Sequence, residues 1–183
     1  MKTALILVDL QNDYFPGGKM ELVGADDAVR NAALLLAAFR DRAQTVIHVQ
    51  HVEPGSDAPF FVAGTSGAEI HREVRPRSGE PVIRKRHPNG FHGTGLLDAL
   101  HTANVQRTVI CGATSHLCID ATSRAAADLG FACVVAHDAC ATTALHFAGR
   151  TIPAEEVHGA FMAALAAAYA TVVPTGEAIS LIG

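Results

Sequence analysis

The chain has 183 residues, 49% of them hydrophobic and 17% charged, and carries a formal net charge of −4. That length and balance describe one domain, residues 1–183, with a buried core, and they exclude a disordered chain. The charge offers no basis for holding nucleic acid or an anionic membrane, and no apolar run reaches the roughly 18 residues of a spanning helix.

In chain order, Ala4–Val8 is apolar for five residues and then meets Asp9, with no cleavage pattern beyond. It reads as a buried strand, not as a signal peptide. Ala28, Ala32, Leu35 and Phe39 recur at helical spacing behind Asp26 and Asp27, which favour a helix N-terminus. Thr45–Val49 is a second strand. Residues 52–80 then break the rhythm with Pro54, Gly55, Pro59, Gly64, Gly67, Pro76 and Gly79. Such an excursion is expected to be a lid or an interface element, and Phe60 and Phe61 need a pocket or a partner to cover them.

Pro81–Ile83 reads as the third strand, Thr94–Ala103 as a weak helix and Thr108–Cys111 as the fourth strand. Ile119, Thr122, Ala126 and Leu129 form a helical stripe that Gly130 stops. Ala132–Ala136 follows as a strand. Pro153, Glu155 and Glu156 open a helix with the stripe Val157, Phe161 and Leu165, before a last strand at Thr171–Val173. Alternating strands and helices predict an α/β fold, a three-layer α/β/α sandwich with a mainly parallel sheet of about six strands. Its functional crevice should lie beyond the carboxyl ends of the strands.

Three polar residues stand at those ends: Asp9 after the first strand, Lys85 after the third and Cys118 after the fourth. A thiol at a helix start meets partial positive charge and free N–H groups, which favour thiolate and can receive an oxyanion. Asp9 is placed to take the thiol proton and Lys85 to balance the acidic site. Each also has a plainer reading: a buried inert cysteine, a loop-fixing aspartate, and a lysine solvated within Arg84-Lys85-Arg86. The four cysteines show no metal spacing, which fits reduced thiols in a cytoplasmic protein.

Longer motifs sharpen this set. They are Leu7-Val8-Asp9-Leu10-Gln11-Asn12-Asp13 with Phe15-Pro16-Gly17-Gly18, and Arg84-Lys85 with Pro88-Asn89-Gly90-Phe91. Gly112-Ala113-Thr114-Ser115-His116-Leu117-Cys118-Ile119-Asp120-Ala121-Thr122 and Asp138-Ala139-Cys140-Ala141-Thr142 follow in order. In these the chain resembles the isochorismatase-like cysteine hydrolases, a superfamily that includes nicotinamidases and N-carbamoylsarcosine amidohydrolases. The resemblance implies a Rossmann-like topology, an Asp9-Lys85-Cys118 triad, and an oxyanion hole from the N–H groups of Thr114 and Cys118. It also implies a cis peptide at Ala113–Thr114 and a homo-oligomer, a dimer or higher. The expected chemistry is hydrolysis of a small amide through a thioester on Cys118. Gln11, Phe15, Phe60, Asn89, Phe91 and Thr142 are the candidate substrate contacts. The alternatives are vinyl-ether hydrolysis of the isochorismatase type, without a thiol, and a non-catalytic thiol sensor or scaffold.

Ten histidines raise the question of a metal. Where nicotinamidases carry Asp-x-His after the second strand, this chain reads His48-Val49-Gln50-His51-Val52-Glu53, without the aspartate. His48 and His51, three apart, point to opposite faces of a strand and cannot share one tetrahedral site. His87, His92, His101 and His116 fall on loops or helix ends, and Glu155-Glu156-Val157-His158 reads as an exposed first helical turn. No metal and no cofactor are expected.

Overall fold

The structure is a computed structural model and describes residues 1–182. Six strands form one parallel sheet: β1 (Thr3–Val8), β2 (Thr45–His51), β3 (Val82–Lys85), β4 (Arg107–Ala113), β5 (Ala132–Ala141) and, after a hairpin, β8 (Thr171–Val173). Their spatial order is β3-β2-β1-β4-β5-β8. The chain therefore starts in the middle, runs outward to β3, and returns to the centre at β4. In such a sheet the crevice opens where the order reverses, outside the carboxyl ends of β1 and β4. Asp9 and the turn 114–119 lie there.

Apolar runs buried on both faces explain the sheet's centre. Every residue of β1 is buried, as are all but the first of β4. Helix α1 (Ala25–Asp41) buries Ala28, Ala32, Leu35 and Phe39 against the sheet and touches α5 (Thr175–Ser180). Helices α3 (Asp120–Asp128) and α4 (Ala154–Ala168) pack against each other, and α2 (Leu96–Thr102) buries Leu96 and Leu100. An antiparallel hairpin, β6 (Leu145–Phe147) and β7 (Arg150–Ile152), precedes α4. Among the described residues no helix is long and apolar enough to cross a membrane.

At Gly112 the sheet forbids any other residue. Its φ is +129°, it pairs with Val8, and an added Cβ would overlap the Val8 carbonyl oxygen. β1 and β4 thus approach closely just before Asp9 and Thr114 diverge from them.

Residues 52–80 form an ordered belt, not a free loop. Short 3₁₀ turns at Ser66–Ala68 and Arg72–Val74 punctuate it. Asn12 Nδ2 donates to Ser66 O (2.8 Å), and the buried Asp13 carboxylate accepts from Phe61 N (2.7 Å). At the other end Glu80 closes a clasp with Arg40 (2.7 Å), His48 Nε2 (3.0 Å) and Arg77 N (2.8 Å). Burial pushes the Glu80 carboxyl up, but these hydrogen bonds outweigh it and hold it at about 2, against an ordinary 4.5. The clasp stabilises fully above the ordinary value and is lost as pH falls through about 2. Acid denaturation of the wild-type chain should therefore show a loss of stability between those values that Glu80→Gln lacks.

Candidate active site

Asp9, the residue after β1, has a left-handed backbone (φ 51°), which Asp tolerates better than most residues. The bend turns its carboxylate into the crevice, where the side chain is fully buried. Lys85 ends β3, equally buried, with Nζ 2.7 Å from Asp9 Oδ2. The same ammonium donates to Cys118 Sγ (3.2 Å) and lies 3.1 Å from His51 Nδ1. The structure thus brings together the three residues expected from the sequence, and it adds a fourth.

His51 enters because β2 runs two residues past Val49. There it pairs in register with Lys85, so both side chains leave the same face. An ammonium only donates, so Nδ1 accepts from Lys85, and Nε2–H donates to Glu53 Oε1 at 2.7 Å. His48 faces the other way, to Glu80. Asp9, His51 and Cys118 each offer a ligand atom, all within 4.8 Å of one another, an arrangement that would suit a cation. Lys85 Nζ contacts all three and fills that position itself.

Cys118 lies in a wide turn, Ser115–Ile119, in which Ile119 N reaches back five residues to Thr114 O (3.1 Å). The Ala113–Thr114 peptide is cis. Two cross-links hold this turn against its neighbours. Thr122 Oγ1 accepts from Gly90 N (2.9 Å), tying α3 to the loop after Lys85. Ser115 Oγ lies 2.8 Å from His158 Nδ1, tying the turn to α4. The segment is the first helical turn with Glu155 and Glu156 exposed, as expected, but Val157 is buried and His158 half-buried.

Electrostatics also correct an expectation. Burial and the Asp9 carboxylate push the Cys118 thiol up, and the opposing pull of Lys85 is too weak to reverse this. Both effects favour the thiol at Cys118 over the thiolate expected from a helix start. Lys85 is raised despite its burial, because Asp9 and Cys118 stabilise its charge. Among the described residues, neither Asp9 oxygen has a donor aligned for a hydrogen bond, ion pair notwithstanding, and Thr114 Oγ1 is also buried without a partner. Buried acceptors without an aligned hydrogen bond are open to a further donor.

The candidate substrate contacts divide. Gln11 is fully buried and spends both N–H donors on His51 O and Ala68 O (2.8 Å each), while Oε1 accepts from His51 N (2.8 Å). It braces β2 and is not free for substrate. Phe15 stacks on His71 with centroids 4.1 Å apart, and Phe91 packs towards Phe131. Asn89 Oδ1 accepts from Phe91 N within its own turn, and Thr142 Oγ1 lies 2.6 Å from His116 Nδ1. Phe60 remains half-buried beside Phe61.

Two aromatic residues outside the candidate set lie close by, Phe61 having been expected only to need cover. Phe61, fully buried with φ 55°, lies edge-on to Tyr14 (4.6 Å) and 5.9 Å from His51. Tyr14 is close enough to Asp9 and Cys118 for their charge, after burial, to push its hydroxyl up. Its place in the run Gln11-Asn12-Asp13-Tyr14, five residues after Asp9, was the available signal.

Comparison with known proteins agrees with this geometry. The Isochorismatase domain model matches residues 3–177. The isochorismatase family protein YddQ of Bacillus subtilis is 51% identical over 96% of this chain and 97% of its own length. Maleamate amidohydrolase of Pseudomonas putida is 31% identical over 75% of this chain and 71% of its own. A crystal structure from Oleispira antarctica superposes with a TM-score of 0.95 at 49% identity, covering 98% of this chain and 96% of that one. With its sheet order and the residues at its strand ends, the chain belongs to the isochorismatase family of hydrolases.

Proposed function

We propose that the protein hydrolyses the C–N bond of a small carboxamide through a thioester on Cys118. One observation carries the reading: Lys85 Nζ contacts both Asp9 Oδ2 (2.7 Å) and Cys118 Sγ (3.2 Å). When the thiol proton moves to Asp9, negative charge moves from carboxylate to sulfur. Both ends of that transfer lie within reach of one ammonium, so the site's net charge and its stabiliser stay in place.

The thiolate then attacks the amide carbon, and the carbonyl oxygen takes the negative charge facing the N–H groups of Thr114 and Cys118. The tetrahedral adduct collapses as Asp9 returns the proton to the departing nitrogen, releasing ammonia or an amine. Water, deprotonated by Asp9, attacks the thioester, the acid leaves, and the proton returns to Cys118. The similarity to a maleamate amidohydrolase supports the amide class. Phe60, half-buried with its ring 6.1 Å from Tyr14, is proposed to meet the substrate there. The chain is further proposed to act without a metal, as a homo-oligomer in the cytoplasm.

The wild-type chain should release ammonia from at least one member of a panel of small primary amides, assayed near neutral pH. A panel that spans neutral, acidic and aromatic amides and releases none would sink the amidase reading.

A further inference from the structure

We propose that His51 and Glu53 are positioning residues that hold the Lys85 ammonium charged and turned towards both Asp9 and Cys118. The role is framed by the amidase reading above. An ammonium has three N–H donors, and Lys85 Nζ faces three groups: it hydrogen-bonds to His51 Nδ1 at 3.1 Å and Cys118 Sγ at 3.2 Å, and forms an ion pair with Asp9 Oδ2 at 2.7 Å. The two hydrogen bonds and the Asp9 charge together hold the ammonium between Asp9 and Cys118. Remove the imidazole and one N–H of a fully buried cation is left without an acceptor, which disfavours the charged form.

Glu53 sets the imidazole. Its carboxylate accepts Nε2–H at 2.7 Å, which fixes the tautomer that leaves Nδ1 as an acceptor. Glu53 is itself anchored, since its N–H donates to Phe61 O (2.9 Å) and its carbonyl accepts from Ala63 N (2.9 Å). The Phe61 ring lies 5.9 Å from the imidazole, tilted to it. The titratable groups facing Lys85 are thus Asp9 after β1, Cys118 from its turn and His51 from β2, with Glu53 acting through His51. Arg84 and Arg86 flank it along the chain.

The test needs no substrate. The chain has three lysines, Lys2, Lys19 and Lys85, so lysine labelled at Cε gives three resolvable NMR signals. In the wild type, Lys85 should stay protonated above the ordinary lysine midpoint of 10.5. In His51→Leu its midpoint should fall by about one pH unit or more. His51→Asn, whose Oδ1 can take the place of Nδ1, should restore most of the difference. If His51→Leu proves unfolded, Glu53→Gln provides a smaller downward shift as the readout. A Lys85 midpoint that His51→Leu leaves where it is, or that His51→Asn lowers equally, overturns the proposal. Neither result depends on amide turnover, so the proposal and the amidase reading fail separately.

Discussion

Cys118→Ala should lower amide hydrolysis by at least about 10⁴-fold, because removing a nucleophile leaves only binding and oxyanion stabilisation. Cys118→Ser should fare little better. A hydroxyl is harder to deprotonate than a thiol, and this site already holds its thiol protonated through burial and Asp9. Neither change should disturb the fold. Sγ is a small group that accepts from Lys85, and its surroundings are held by Thr122 and Ser115. Initial rates of ammonia release, compared with far-ultraviolet circular dichroism, check both statements. A variant with a tenth of the wild-type rate would remove Cys118 from the chemistry.

The second large effect falls on stability as well as rate. Asp9→Asn takes away the base and leaves Lys85, fully buried, without its counter-charge. Removing one partner of a buried ion pair costs about 3–5 kcal/mol, whereas replacing both by apolar groups is often neutral. Asp9→Asn should therefore lower the urea midpoint sharply, and adding Lys85→Met should recover much of the loss while activity stays absent. Asparagine tolerates the left-handed backbone at this position as aspartate does, so the effect isolates the charge. An Asp9→Asn chain as stable as wild type, or a double variant no better than the single, contradicts the pairing.

The strands were legible because parallel strands buried on both faces are short apolar runs, and all six predicted runs are strands in the structure. Their ends were not. Thr45–Val49 runs on to His51, and Ala132–Ala136 to Ala141, because polar residues near the crevice are held by side-chain partners that periodicity does not register. That shortfall is what hid His51. Its spacing from His48 correctly placed the two on opposite faces, but nothing local showed that one face met Lys85. The hairpin at Leu145–Ile152 was also missed, its strands being only three residues each around Ala148-Gly149. Asp9, Lys85 and Cys118 were legible as polar residues at strand ends. Gln11, Phe15 and Phe91 were legible as residues of the right loops. That they brace those loops depends on partners 40 to 57 residues away for Gln11 alone, which no local pattern encodes.

The central claim is an acyl group carried on the Cys118 sulfur. Hydroxylamine intercepts a thioester and converts it to a hydroxamate, so turnover of a hydrolysed amide in its presence reads the intermediate directly. The account predicts hydroxamate in addition to the free acid, with both products lost in Cys118→Ala. Free acid alone at every hydroxylamine concentration, formed at the same rate without Cys118, would contradict it.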